Sequence, residues 1–205
     1  MKTKPSSVYQ FKITLEEIKP IIWRRIQVPQ RYNFWDLHVA IQDSMGWQDY
    51  HLHQFEMVNP KTGEKVHITI QDDDNEDLYD SPVIPDEEAK ISSYFTLENK
   101  TAKYEYDFGD GWEHKIVLEK ILPAEPGVKY PICTEGQRAC PPEDCGGTYG
   151  YQELLEIVSD PKNEEYESRK EWLRYVYNPG DFDPKSVRFD NPKKRWKIAF
   201  EHLYL

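Results

Sequence analysis

The stretch TAKYEYDFGDGWEHKIVLE, residues 101–119, restricts the fold more than any other part of the chain. Tyr104, Tyr106 and Phe108 alternate with charged neighbours, and Trp112, His114, Ile116 and Leu118 do the same after the glycines. Each half therefore has the two-residue period of a strand with one buried face, and the glycines between them make a hairpin. Two registers compete. A two-residue Asp110-Gly111 turn pairs Gly109 with Trp112 and sets Asp107 opposite His114 as a carboxylate–imidazole dyad. A three-residue Gly109-Asp110-Gly111 loop pairs Phe108 with Trp112, Tyr106 with His114 and Tyr104 with Ile116, which makes one continuous apolar face and is the register expected. Asp107-Phe108-Gly109 also spells the triplet that holds magnesium in protein kinases. No glycine-rich loop follows the first strand and no HRD catalytic loop lies upstream, so the triplet is read as the approach to a turn.

The N-terminal part repeats the alternation. VYQFKITLEEI exposes a Tyr9, Phe11, Ile13, Leu15 face and IIWRRIQV continues in strand-rich composition. Asn33 with Asp36 forms a capping pattern, Leu37, Ile41 and Met45 follow at helical spacing, and Gly46 stops the run, so a helix is expected over 34–45. HLHQFEMV and KVHITI read as strands joined by NPKTG. Strand, strand, helix, strand, strand is the order of a β-grasp. Tyr151, Leu154, Leu155 and Val158 mark a first C-terminal helix, Trp172, Tyr175 and Val176 part of a second, and Asn191-Pro192 the start of a third reaching about residue 203 with Trp196, Ala199, Phe200 and Leu203 as its stripe. The expected fold class is α+β: a mixed or antiparallel sheet with a β-grasp-like N-terminal half, a further hairpin at about 102–122, and C-terminal helices.

A single domain over 1–205 suits the length, and 6 Trp, 14 Tyr and 8 Phe can fill its core. With 37 acidic against 26 basic residues the net charge is −11, which argues against broad nucleic-acid binding. No apolar run approaches the roughly 20 residues of a membrane span, and MKTKPSSVYQFKI has no signal-peptide core, so a soluble cytoplasmic protein is expected. The segment QDDDNEDLYDSPVIPDEE places nine carboxylates in 18 residues. As a calcium loop it fails, with Asp77 where glycine is needed and Val83 where glutamate is needed, so it reads as a solvated acidic loop.

CTEGQRACPPEDCGG brings Cys133, Cys140 and Cys145 into one loop, and three thiolates with an imidazole make a tetrahedral zinc site. The six- and four-residue intervals are not those of a zinc ribbon, and ordinary reduced cysteines are the competing reading. His51 and His53 share one side of a predicted strand and can ligate a metal with His114 or a carboxylate from PPED; burial beside Phe55 and Met57 is the alternative. KKRWK at 193–197 opens a helix against its dipole and reads as a solvated basic turn. No Ser-His-Asp order, phosphate loop or dinucleotide fingerprint is present.

PIIWRRIQVP, MGWQDYHLHQF, YEYDFGDGWEHKIVLE, PPEDCGGTYGYQELLEIVSDP and GDFDPKSVRFD, in this order from about residue 7 to 190, resemble the plasmid pRiA4b ORF-three-like family. The resemblance implies a single α+β domain associated with plasmids, transposons and prokaryotic chromosomes, and no established activity. The family's motif positions fall here on His51, His53, Asp107, Gly109, Asp110, Trp112, His114, Pro141, Pro142, Glu143, Asp144, Gly146 and Gly147. The leading expectation is a non-catalytic module that binds a small ligand or a protein partner in a cleft lined by His51, His53, Asp107, Asp110, Trp112, His114, Glu143 and Asp144. A metal-dependent hydrolase of nucleotides or nucleic acid, with His51, His53 and His114 as ligands and Glu143 or Asp144 as base, is one alternative. An interaction protein with structural zinc at the cysteines is the other.

Overall fold

The computed structural model describes residues 6–70 and 80–200. Alternation along the chain resolves into strands β1 (Ser7–Leu15), β2 (Ile22–Pro29), β3 (His53–Val58), β4 (Lys65–Thr69), β5 (Val83–Pro85), β6 (Thr101–Tyr106), β7 (Trp112–Pro123) and β8 (Ile132–Gln137). Helices are α1 (Phe34–Met45), α2 (Ile91–Tyr94), α3 (Gly147–Ser159), α4 (Tyr166–Leu173) and α5 (Pro192–Phe200). The strands form one eight-stranded sheet in the order β5-β4-β3-β6-β7-β1-β2-β8. It is antiparallel except for the parallel β4–β5 pair.

One face is apolar. Phe11, Ile13, Phe55, Ile68, Tyr104, Tyr106, Trp112 and Ile116 are all fully buried on it. The other face carries ion pairs such as Arg25–Glu119 and Lys103–Glu113, as expected of an antiparallel sheet with one wet side. The α1 helix covers the apolar face, and its Phe34 ring meets Phe55 edge-on with centroids 5.0 Å apart. Its ends are local chemistry: the Asn33 side chain accepts from the Asp36 amide, Asp36 accepts from the Asn33 amide, and Gly46 turns left-handed at φ 92°.

The β-grasp-like arrangement is not confirmed. Both N-terminal hairpins form, but β1 pairs with β7 and β3 with β6, so the β6–β7 hairpin lies between them.

That hairpin takes neither of the two competing registers, so the expected three-residue loop does not form. Tyr106 faces Trp112, Tyr104 faces His114 and Ala102 faces Ile116, around a loop spanning 107–111. A two-residue slip from the three-residue-loop register leaves every side chain on its own face, so the apolar face survives. Phe108 is ejected from it and is 45% exposed. The turn begins early because Asp107 is left-handed at φ 56° and its Oδ1 accepts from the Gly109 and Asp110 amides.

At the C-terminal end α4 stops at Leu173 with Arg174 left-handed, so Tyr175 and Val176 lie beyond it and are exposed. The basic run on α5 is not simply solvated: Arg195 reaches Asp43 and Asp190 at 2.6 Å each, while Trp196 and Phe200 pack on Trp35. Leu203 and the acidic residues 71–79, with the calcium-loop positions Asp72, Asp74, Glu76 and Asp77, lie outside the described residues. The remainder of that stretch is partly sheet, and its Asp86 is buried rather than solvated. Among the described residues no helix is long and apolar enough to cross a membrane.

Candidate functional site

The segment after α1 is held by aromatic packing. Trp47 stacks on Tyr106 at 5.1 Å, lies 5.8 Å from Trp112, and donates its indole N–H to the Pro141 carbonyl at 2.9 Å. This draws the PPEDCGG loop onto the end of the sheet. Glu143 is then fixed twice, accepting from the Tyr106 hydroxyl at 2.6 Å and the Gln48 amide at 2.9 Å. Burial and the bond to Glu143 hold the Tyr106 hydroxyl far above the usual phenol range, so it stays a proton donor.

Beside this clamp three segments meet. His51, just before β3, donates from Nε2 to Asp144 Oδ1 at 2.8 Å and stands 3.5 Å from Asp107 Oδ2. Asp107 and Asp144 both have left-handed backbones, at φ 56° and 58°. Strained conformations of this kind persist only where the surroundings hold them. One ligand atom from each of His51, Asp107 and Asp144 lies within 4.8 Å of the others. Asp110 secures the approach of the two loops by accepting from the Gly146 amide at 3.2 Å. Gly147, at φ 66°, lies so close that a Cβ there would sit 2.4 Å from the Asp110 carbonyl oxygen. An imidazole nitrogen with two carboxylates is a donor set for zinc, manganese or a similar divalent ion, and its two negative charges favour a cation.

The sequence candidates thus separate. His51, Asp107, Asp110, Glu143 and Asp144 come together at one surface. His53 does not join His51: it is fully buried, stacks on His38 at 3.5 Å and donates to Asp86 at 3.0 Å. Trp112 is core, and His114 is buried against Tyr104 and Trp47, its Nδ1 donating to the Trp112 carbonyl. Among the described residues the three cysteines do not form a ligand group with one another or with a histidine. Burial pushes their thiols up to about 11 for Cys133 and about 12 for Cys140 and Cys145.

The reading from sequence missed His38. Its Nε2 donates to Asp49 and its Nδ1 accepts from the Tyr104 hydroxyl, which in turn accepts from Gln42. The signal was present: His38 is four residues after Phe34 and three before Ile41, on the buried stripe of α1.

The family model for plasmid pRiA4b ORF-3-like protein matches residues 7–186. The chain belongs to that family. A crystal structure of a protein of unknown function, MM3350 from Methanosarcina mazei Go1, is similar with a TM-score of 0.83 and 53% identity, covering 91% of this chain and 100% of that one. The uncharacterized protein y4hQ of Sinorhizobium fredii (strain NBRC 101917 / NGR234) is 35% identical over 189 residues, 92% of this chain and 90% of that protein. Neither description names an activity for these relatives of the pRiA4b ORF-3-like chain.

Proposed function

We propose that the chain is a non-catalytic binding module whose working site is a divalent cation held by His51, Asp107 and Asp144. The observation that carries this reading is the convergence of those three ligand atoms within 4.8 Å from segments far apart in sequence. Support for a binding role comes from the thiols and buried imidazoles, the groups whose chemistry suits nucleophilic or general-base work. All three thiols are held protonated by burial, and His114 and His38 are pushed down to about 4 inside the core, where neither is exposed. The free thiols also suit a cytoplasmic setting.

Titration calorimetry with manganese and zinc tests the site on the wild type and on His51→Ala, Asp107→Asn and Asp144→Asn. One stoichiometric site is expected, weakened at least roughly tenfold by each substitution and unchanged by Cys133→Ser. Equal affinity in all variants would remove the assignment. Cation-dependent hydrolysis of a nucleotide or nucleic acid by the wild type would overturn the non-catalytic part alone.

A further inference from the structure

We propose that a cleft beside this surface binds a small anionic molecule, a carboxylate or phosphate with a flat apolar body, whose charged head is received by Arg24. The alternation of β2 turns Ile22, Arg24, Ile26 and Val28 toward the core, and Arg24 is only 1% exposed. A guanidinium has five N–H donors. Nε donates to the Ser44 carbonyl, and Nη1 donates to the Trp23 and Gln137 carbonyls, at 2.8, 2.9 and 3.1 Å. Nη2 makes no hydrogen bond to any described residue, and no described carboxylate pairs with Arg24. A buried charge without a counter-charge is costly, and in most proteins it is paired.

The neighbours sharpen the contrast. Arg25, more exposed, is paired with Glu119 and Glu135, and Arg195 with Asp43 and Asp190. Arg24 instead lines a cleft of about 1150 Å³, large enough for a small organic ligand. Arg174 and Arg188 line the same cleft, also without a carboxylate partner among the described residues. The acidic groups on its wall bond to donors other than Arg24, Arg174 and Arg188. Asp43 holds Arg195, Glu143 holds Tyr106 and Gln48, and Asp144 holds His51. Asp181 accepts from Asn178, and Asp183 accepts from the Lys185 amide.

Phe182 lies over one flat face of the guanidinium, 3.7 Å from Cζ, and Gly136 makes room for that ring, since a Cβ there would come within 2.3 Å of it. Arg24 lines the cleft with both N–H groups of Nη2 left to donate, and a guanidinium nitrogen of this kind suits an oxyanion. Exposed Tyr50, Trp172 and Tyr175 on the cleft wall offer apolar surface for the body of the ligand.

Calorimetry on the full chain in the presence of EDTA, which separates this site from the cation site, tests the proposal with phenyl phosphate, benzoate and neutral benzyl alcohol. At least one anion is expected to bind, roughly tenfold or more tighter than the alcohol, and the tighter anion identifies the head group. Arg24→Met and the double variant Arg174→Ala/Arg188→Ala should each weaken it by a similar factor, with Arg25→Ala unchanged. If circular dichroism shows Arg24→Met unfolded, the double variant decides. Absence of binding by both anions at millimolar concentration, or wild-type affinity in the folded arginine variants, overturns the proposal.

Discussion

His38 and His114 give the fold a defined acid sensitivity. Both are fully buried and both are pushed from 6.5 down to about 4, His38 by desolvation and then by the stacked His53, His114 by desolvation. The folded-state value is below the unfolded one, so between the two the unfolded chain takes up protons that the folded chain refuses. Stability is therefore full above about pH 6.5 and is lost as pH falls toward 4. From pH 7 to pH 5 each histidine removes about 2 kcal/mol and the pair about 4 kcal/mol, a large part of the total for a domain of this size. Burial lowers His67 as well, which adds in the same direction. Urea unfolding at pH 7, 6 and 5 measures the loss, and His114→Leu should reduce it to about half. A stability that stays level within about 1 kcal/mol from pH 7 to pH 5 would mean that the two buried histidines carry no such acid sensitivity.

Three further outcomes are expected. Gly147→Ala puts a methyl against the Asp110 carbonyl at a left-handed position, and should destabilise the chain by about 1–3 kcal/mol in urea unfolding and weaken manganese binding by separating the loops. Arg195→Ala leaves the side chain of Asp43, 5% exposed, with the Asp190 amide but without its cationic partner, and should open the chain after residue 190 to limited proteolysis. Asn33→Ala removes the side-chain acceptor for the Asp36 amide and should cost about 1 kcal/mol, read as a lower urea midpoint.

What the sequence carried openly was local. The limits of α1 follow from Asn33, Asp36 and Gly46, which act within a turn of the helix end. Strand faces followed from period-two alternation, and Phe55, Tyr104 and Ile116 lie where it puts them. Register did not follow, because a slip of two residues preserves every face, and the Asp107 carboxylate, through its bonds to two loop amides, set the turn. Strand order was out of reach, since the insertion of β6–β7 between β1 and β3 depends on contacts about 100 residues apart. The same limit applies to chemistry. His51 and His53 look equivalent in HLH, yet β3 begins at His53, which its alternation turns into the core, while His51 precedes the strand and faces the loops. The buried Arg24 was visible in IIWRRIQV only as an interruption of an apolar face, and its lack of a carboxylate needed the fold.

The proposed cation site is built by three side chains from distant segments. Crystals of the chain grown with manganese, with diffraction recorded at a wavelength where manganese scatters anomalously, test it directly. One strong anomalous peak is expected in contact with His51, Asp107 and Asp144, absent from crystals of Asp107→Asn. A peak elsewhere, or none among these three residues at saturating manganese, would contradict it.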